Sequence, residues 1–355
     1  MPVMGNESGI ALVTTLGVVA VLLVAATQIG RLTGDAALQT RAENDLFSAG
    51  EQAMSGIHLG MLVLSRDAAD NTTDSVQEVW SDPDKLSEMV AALGFKTGSM
   101  TLAISDEMGK IQLNAQLREF PGSEANAGQQ EILARFFNLA RKSQGDDDVE
   151  DGRELVNAVK DWLDTNDDDA VTGLSGAESD YYQSLENSYP CANGPFNQVS
   201  ELYNVKGMER ENPDLELGNF FTAYGLADIK NDLGRFTYTG KININTAPIE
   251  VVAALLPEGR DHLAEDLVAF REHRASDEEQ YSNLLEPGWF DKVIELSGNE
   301  KTAFTSNITY ASHVFRITCK VRQEGVSASV SAVVKREKSK QSGKWACRIL
   351  QMEQG

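Results

Sequence analysis

The sequence has few of the residues on which catalytic and zinc centres usually depend. Its 355 residues include four histidines and three cysteines, and these lie far apart along the chain. No Ser or Cys lies in the glycine-flanked pattern of a nucleophile elbow. The sequence therefore predicts no histidine-based active site, no zinc site and no enzyme.

Positive charge is also scarce. The chain has 54 Asp and Glu against 31 Lys and Arg, a formal charge of −23. Because phosphate contacts require a basic surface, this balance argues against a general nucleic-acid-binding protein. Hydrophobic residues make up 41% of the chain, which excludes a wholly disordered protein and is enough for the core of one large or two ordinary domains.

The charge is unevenly distributed. Residues 314–355 contain nine Lys and Arg and three Glu, a net charge of +6, so that the first 313 residues carry −29. A basic C-terminal stretch is compatible with a patch for anionic membrane or nucleic acid. We favour a solvated strand edge, where Lys discourages edge-to-edge pairing.

Charged residues are absent from the run that follows the N-terminal leader. Residues 10–26 read IALVTTLGVVAVLLVAA, and the next charged residue along the chain is Arg31. A helix of 17 to 20 residues, rising about 1.5 Å each, nearly crosses a hydrocarbon core. A secretory signal would have a basic start and a cleavage site at the far end, and a soluble core helix rarely lacks a charged face. We therefore predict a transmembrane helix at residues 10–29.

The next segment, residues 30–66, has the spacing of an amphipathic helix and no proline. We expect it to continue the membrane span as one rod of roughly 55 residues, about 80 Å long. Its apolar residues, three or four positions apart, form one stripe. They are Leu38, Ala42, Leu46, Ala49, Ala53, Ile57 and Met61.

This N-terminus resembles the precursors of type IV pilin-like proteins. The resemblance implies a leader of residues 1–9, cleavage after Gly9 by prepilin peptidase, and methylation of the new amine of Ile10. Most such proteins have Glu at the fifth mature position, which here is Thr14. A carboxylate inside a bilayer is costly unless it is paired, and in that family it is thought to pair with the amine of the subunit above. Its absence is typical of the K-type minor pseudopilins of type II secretion systems.

Further motifs are similar to the same family. Residues 106–114 read DEMGKIQLN, and residues 242–247 read ININTA. The resemblance implies an α+β fold in which a pilin-like antiparallel sheet, residues 67–120 and 303–355, is interrupted by a large inserted all-α domain, residues 121–302. From the residues we expect a hairpin at 101–113, helices at 130–142 and 152–163, and strands at 307–322, 326–336 and 345–352.

An acidic segment lies inside the inserted region. Residues 161–182 read DWLDTNDDDAVTGLSGAESDYY. Asp164, Asn166 and Asp168 occupy alternate positions, as in the first half of an oxygen-ligated Ca²⁺ loop, and Glu178 is placed to complete the coordination. The segment does not have the Gly and Glu positions of an EF-hand. An exposed, mutually repelling charge run is the alternative, but members of the similar family bind calcium in this region, so we predict a Ca²⁺ site.

Two other features require a choice between interpretations. Residues 242–274 resemble a DNA-binding helix-hairpin-helix, but with Lys241 they carry four positive and six negative charges, and Glu258 lies where a phosphate would bind. We interpret the segment as a packing unit. Cys319 and Cys347 lie in two C-terminal strands and form a disulfide if these strands are neighbours, whereas a simple meander would separate them.

The family resemblance implies a function as a minor pseudopilin at the tip of the type II secretion pseudopilus. Such a protein joins the I- and J-type minor pseudopilins, starts assembly and limits growth. It is held in the inner membrane beside the secretion platform, with its C-terminal bulk in the periplasm, and binds no nucleic acid. The alternatives are a membrane-anchored DNA-uptake protein built on the helix-hairpin-helix and a minor pilin of a type IV pilus.

Overall fold

The computed structural model has the expected α+β fold. It describes residues 7–94, 98–143, 152–166, 171–208, 216–225, 234–274, 281–323 and 325–355. The helices within these residues are α1 Glu7–Asp70, α2 Pro83–Ala92, α3 Ala127–Ser143, α4 Gly152–Leu163, α5 Ser179–Gln183, α6 Leu217–Phe220, α7 Ile249–Leu255, α8 Leu263–Glu272 and α9 Gly298–Asn307. The strands are β1 Ser99–Asp106, β2 Ile111–Gln112, β3 Phe221–Thr222, β4 Ile242–Asn243, β5 Ile308–Thr309, β6 Val314–Gln323, β7 Val326–Lys338 and β8 Trp345–Gln354.

The predicted rod is a single helix. α1 has 64 residues, and at 1.5 Å per residue it is about 96 Å long. Its side chains are exposed from Gly9 to Asn44, and the second half then buries one stripe, including Ala49, Ala53 and Ile57, against the sheet. The amphipathic spacing therefore identified the buried face from Ala49 onward, whereas Leu38, Ala42 and Leu46 of the predicted stripe are exposed.

Two glycines let α1 approach the sheet closely. A Cβ at Gly56 would lie 2.3 Å from Cys319 Sγ, and one at Gly60 would lie 2.8 Å from Cγ2 of Ile317. Both distances are shorter than van der Waals contact. At these two positions the helix backbone therefore lies very close to the side chains of β6.

Four antiparallel strands form the main sheet, in the order β1-β6-β7-β8. Its inner face packs against α1 and α2 around buried Ile104, Phe315 and Val330. The predicted hairpin at residues 101–113 is wrong, because β1 pairs with β6 while the short β2 pairs in parallel with β3. The acidic turn between β1 and β2 is buried in polar contacts with distant segments, and these contacts replace the expected hairpin ladder.

The predicted disulfide is also wrong. Cys319 lies in β6 and Cys347 in β8, with β7 between them, and both are free. The C-terminal strands form the simple meander that the sequence left open, which places the two cysteines too far apart for a bond. Cys191, the third cysteine, is buried, and its thiol donates to the Asp161 carbonyl at 3.6 Å.

The inserted region is mainly helical and has its own apolar core, which Phe136, Trp162 and Phe221 help to form. It is not purely α, because β3 and β4 lie inside it. These two-residue strands pair in parallel with β2 and β5, which border the insert on either side. The insert is thus attached to the pilin-like part by backbone hydrogen bonds at both of its ends.

Candidate metal centre and membrane stem

Three acidic side chains meet where α4 ends and α5 begins. Asp161 lies in the last turn of α4, Asp164 follows the helix, and Glu178 precedes α5. Their exposed fractions are 0%, 1% and 5%. One carboxylate oxygen of each lies within 4.8 Å of the others, so that a single cation placed among them would be within reach of all three.

The surrounding loop holds Asp161 in place. The backbone N–H of Thr172 donates to both of its carboxylate oxygens, at 3.0 and 3.2 Å. A Cβ at Gly176 would lie 2.0 Å from Asp161 Oδ2, so only glycine allows the loop to close over this carboxylate. Burial raises the pKa of the Asp161 carboxyl, because the apolar surroundings disfavour its charged form.

One ammonium group shares the cluster. Lys160 Nζ donates to Asp164 Oδ2 at 2.7 Å and lies 4.0 Å from Asp161 Oδ1. Because burial of charged carboxylates is costly away from water, a cluster of three is expected to need positive charge close by. The donor set of hard oxygen atoms matches the ligands that Ca²⁺ prefers, and these residues therefore fit a divalent cation.

The predicted ligand set is partly brought together. Asp164 and Glu178 lie in the cluster, whereas the Asn166 side chain is exposed and its backbone N–H donates to Asp164 Oδ1 at 3.0 Å. Asp168 lies outside the described residues. The sequence interpretation missed Asp161, although its spacing of three from Asp164 at the end of a predicted helix was a signal that the two side chains lie on the same side.

The membrane stem presents its predicted processing site in an exposed helix. Gly9 and Ile10 lie in the first turns of α1, and this helix is long and apolar enough to cross a membrane. The Thr14 hydroxyl donates to the carbonyls of Ile10 at 3.1 Å and Ala11 at 2.9 Å. Thr14 thus satisfies its polar group within its own helix, which a Glu at this position could not do.

A buried polar junction joins the insert to the sheet. Asp106, at the end of β1, accepts hydrogen bonds from Asn243 Nδ2 at 3.0 Å, Thr246 Oγ1 at 2.6 Å and Ser312 Oγ at 2.5 Å. Asn243 also donates to the Asp74 carbonyl at 3.0 Å. The two family-like motifs, DEMGKIQLN and ININTA, therefore meet in space, and their polar residues hold the two parts together.

The same junction extends to the stem through Arg336 in β7. Its guanidinium contacts Asp67 at the end of α1 at 2.9 Å and Asp74 at 2.5 Å. It also donates to the carbonyls of Leu64 and Ser312. The buried guanidinium of Arg336 thus holds together the C-terminal end of α1, the connector after it and the sheet.

Two carboxyls around Arg336 are displaced from their ordinary titration range. Burial raises the pKa of Asp74 to about 6 despite the neighbouring Arg336. Burial, together with the charge of Asp67, raises the pKa of Glu78 to about 8, while its carboxylate accepts from Trp80 Nε1 at 2.5 Å. The junction therefore holds a proton on Glu78 at neutral pH.

Comparison with known proteins agrees with the resemblance seen in the sequence. Residues 109–214 match the family described as "Type II secretion system (T2SS), protein K". The type II secretion system protein K of Pectobacterium carotovorum subsp. carotovorum is 28% identical over 58% of this chain, and the match spans 60% of that relative. That of Pseudomonas aeruginosa is 27% identical over 86% of this chain and 78% of its own length.

A solved structure has the same fold. It is that of the GspK-GspI-GspJ complex from the enterotoxigenic Escherichia coli type 2 secretion system, and one of its chains matches with a TM-score of 0.61. The match covers 89% of this chain and 99% of the other, at 17% sequence identity. The family resemblance drawn from the motifs is confirmed by these matches.

Proposed function

We propose that this chain, a member of the protein K family of type II secretion systems, is the minor pseudopilin at the tip of the pseudopilus. In this proposal it starts assembly together with the I- and J-type minor pseudopilins and limits further growth. The observation that carries the proposal is the combination of a pilin-like stem lacking the usual Glu with a large domain at its far end. It has no catalytic role.

The stem supports a place in the inner membrane with the bulk of the chain in the periplasm. The side chains from Ile10 to Ile29 are all exposed and none is charged, so this part of α1 needs an apolar environment. Prepilin peptidase would cut after Gly9 and leave Ile10 as the methylated N-terminus. The secretion platform in the inner membrane is the partner that would receive the anchored subunit.

Thr14 supports the terminal position. A subunit with another above it gains from a carboxylate that pairs with the neighbour's amine, whereas a terminal subunit would carry that charge unpaired in the bilayer. The Thr14 hydroxyl is satisfied by Ile10 and Ala11 of the same helix. The polar side chain at position 14 of the membrane span is therefore paired within the helix.

The insert supports the limit on growth. It is held to the sheet by hydrogen bonds from Asn243 and Thr246 to buried Asp106. A domain attached so firmly cannot swing aside, and its bulk would collide with a subunit added above. Partners of the I- and J-type are inferred from the E. coli complex, whose three named chains assemble together.

We also propose that the insert binds Ca²⁺ through Asp161, Asp164 and Glu178. A divalent cation would be within reach of one carboxylate oxygen of each of these three buried residues. It would also tie the end of α4 to the start of α5, and so close the loop between them. Thr172 and Gly176 position this loop over Asp161 through contacts within the protein, so that the position of the loop does not depend on the ion.

The DNA-uptake alternative is not favoured. The hairpin between α7 and α8 presents Glu258, and the segment from Lys241 to Arg274 has more acidic than basic residues. A type IV pilus is likewise not favoured, because the family match and the relatives named above all belong to type II secretion systems.

Replacing Gly9 with Leu tests the proposal. We expect an uncut precursor and loss of secretion, because the peptidase requires a small residue before the cut. A Gly17→Leu variant is the matched control, since it adds the same side chain to the same helix at an open position. Normal secretion by an uncut Gly9→Leu precursor would overturn the proposed function.

A further inference from the structure

The outer face of the sheet, away from α1, carries a row of positive side chains. Arg316, Lys320 and Arg322 lie on β6 an even number of residues apart and so point to this face, with Thr318 between Arg316 and Lys320. The row is about 20 Å long at about 3.3 Å per residue. We interpreted the basic C-terminal stretch as protection of a strand edge, but β6 lies between β1 and β7. These cations therefore protect no edge.

The residues beside the row are small. In register with Lys320 lie Thr101 of β1 and Ser329 of β7, and in register with Arg322 lie Ser99 and Ser327. No bulky side chain rises between the strands here, so the face is flat and hydroxyl-lined. Such a surface allows another backbone to approach closely.

The row ends in a cleft between the sheet and the insert. The cleft has a volume of about 360 Å³, and Arg316 and Lys110 contribute to its wall. Lys110, whose side chain is 9% exposed, and Arg316 both bond to Glu107, at 2.8 and 2.9 Å. Arg316 uses only its Nε for this contact, and its two terminal nitrogens have no hydrogen bond to a described residue.

The local charge contrasts with that of the whole chain. Four cations, Lys110, Arg316, Lys320 and Arg322, face two carboxylates, Glu107 and Glu353. Lys320 and Arg322 form no ion pair with any residue that the structure describes. The side chains of this surface carry a net charge of +2, and Gly355 lies beside Lys320 and Arg322. On a protein of −23 such a surface selects a short acidic ligand, whereas a long polyanion would meet the acidic remainder of the chain.

We propose that the cleft and the row below it form one binding surface for an acidic segment of another protein. The segment lies along β6, its carboxylates pair with Lys320 and Arg322, and one carboxylate enters the cleft to reach the free nitrogens of Arg316. The flat Ser and Thr rows on either side accommodate its backbone.

The position of the face favours a protein over a lipid surface. β6 lies beside Gly56 of α1, 27 residues beyond the end of the membrane span at Ile29. At 1.5 Å per residue this is about 40 Å along the helix. Lipid headgroups lie far below that level when the stem stands upright in the membrane.

The test uses the full chain in detergent and two labelled peptides, (Glu-Ser)₆ and its neutral counterpart (Gln-Ser)₆, with fluorescence anisotropy as the readout. We expect the acidic peptide to bind at least about tenfold more tightly than the neutral one at low salt. The double variant Lys320→Glu, Arg322→Glu should remove this difference. The control Lys340→Glu, Lys344→Glu makes the same charge change in the exposed loop before β8 and should retain binding.

A second pair of variants tests the flat surface without changing charge. Ser329→Phe should weaken binding of the acidic peptide, whereas Gln341→Phe in the exposed loop should not. Equal losses in both charge variants, or no preference for the acidic peptide, would overturn the proposal. Binding of phosphatidylglycerol vesicles through Lys320 and Arg322 without peptide binding would also overturn it. The test requires no other secretion component, so its outcome is independent of the proposed function.

Discussion

The inserted region and the rest of the chain differ sharply in charge. Residues 121–302 contain 36 acidic and 15 basic residues, a net charge of −21, whereas the remaining 173 residues carry −2. Each part also has its own apolar core, one around Trp162 and Phe221 and the other around Ile57 and Phe315. The chain therefore combines an acidic domain with a nearly neutral pilin-like scaffold.

The contrast shows how the two parts are stabilised. In the scaffold, apolar burial and close helix packing dominate, and charge is concentrated in the junction around Arg336. In the insert, several carboxylates are buried near the surface of the apolar core, at the ends of α4 and α5. In the proposal made above, the insert is stabilised in part by a bound cation at Asp161, Asp164 and Glu178.

The largest effect is expected from breaking the buried ion pairs of Arg336, which join α1, the connector after it and the sheet within the scaffold. Arg336→Met leaves Asp67 and Asp74 buried without their cation, which should lower the free energy of unfolding by about 3–5 kcal/mol. Chemical denaturation monitored by circular dichroism measures the change. The control is Arg348→Met, because Arg348 pairs with Glu337 while 58% exposed and should contribute less than about 1 kcal/mol. Similar losses in both variants would contradict the role of the junction.

Removal of calcium should destabilise the insert and leave the stability of the scaffold unchanged. With Ca²⁺ at about 100 times its dissociation constant, binding would stabilise the insert by about 2–3 kcal/mol. Chelation should therefore speed hydrogen exchange in α4 and leave β6 and β7 unchanged. Asp161→Asn should remove the response to chelator, and Asp180→Asn, an exposed change on α5, should keep it. Exchange that is the same with and without chelator would contradict the calcium site.

Close helix packing can be tested in the scaffold alone. Gly56→Ala places a methyl group 2.3 Å from Cys319 Sγ and should cost about 1–3 kcal/mol, because the helix must move away from β6. Gly50→Ala is the matched control, since its Cβ meets nothing within 4 Å. That variant should gain up to about 1 kcal/mol from the better helix propensity of Ala. A neutral Gly56→Ala would mean that α1 does not lie so close to the sheet.

The smallest expected effect is a pH dependence within the junction. Because the folded pKa of Glu78, about 8, lies above its ordinary value of 4.5, its protonated form is favoured by folding. This contribution is fully present below pH 4.5 and is lost as the pH rises toward 8. Glu78→Gln keeps an acceptor for Trp80 but cannot titrate. Between pH 5 and 8 the free energy of unfolding of this variant should therefore fall by about 1–2 kcal/mol less than that of the unchanged protein. Parallel pH profiles for the two proteins would contradict the shifted pKa.

Local patterns were sufficient for part of the fold. The uncharged run and the spacing of Ala49, Ala53 and Ile57 predicted α1 and its buried face. α2, in contrast, was not predicted. Asp82 followed by Pro83 was the available signal, since the Asp82 side chain accepts from the N–H groups of Asp84 and Lys85 and caps the helix.

Long-range contacts determine the parts of the fold and of the carboxylate cluster that local sequence patterns did not predict. Asp106-Glu107 preceding a glycine is typical of a hairpin turn, and only the distant partners Asn243 and Arg316 show that both carboxylates are buried. Likewise, the alternating Asp164 and Asn166 suggested convergence within one loop. In the structure the cluster instead uses Asp161 from the helix before the loop and Glu178 from beyond it, because α5 returns to the end of α4.

The central claim is that this chain forms the tip together with other minor pseudopilins. Its most direct test is purification of the full chain from detergent-solubilised membranes of cells that express it with the I- and J-type proteins, followed by measurement of stoichiometry by native mass spectrometry. We expect a complex that contains one copy of each of the three chains. Recovery of this chain alone, with the I- and J-type proteins present in the same membranes, would contradict it.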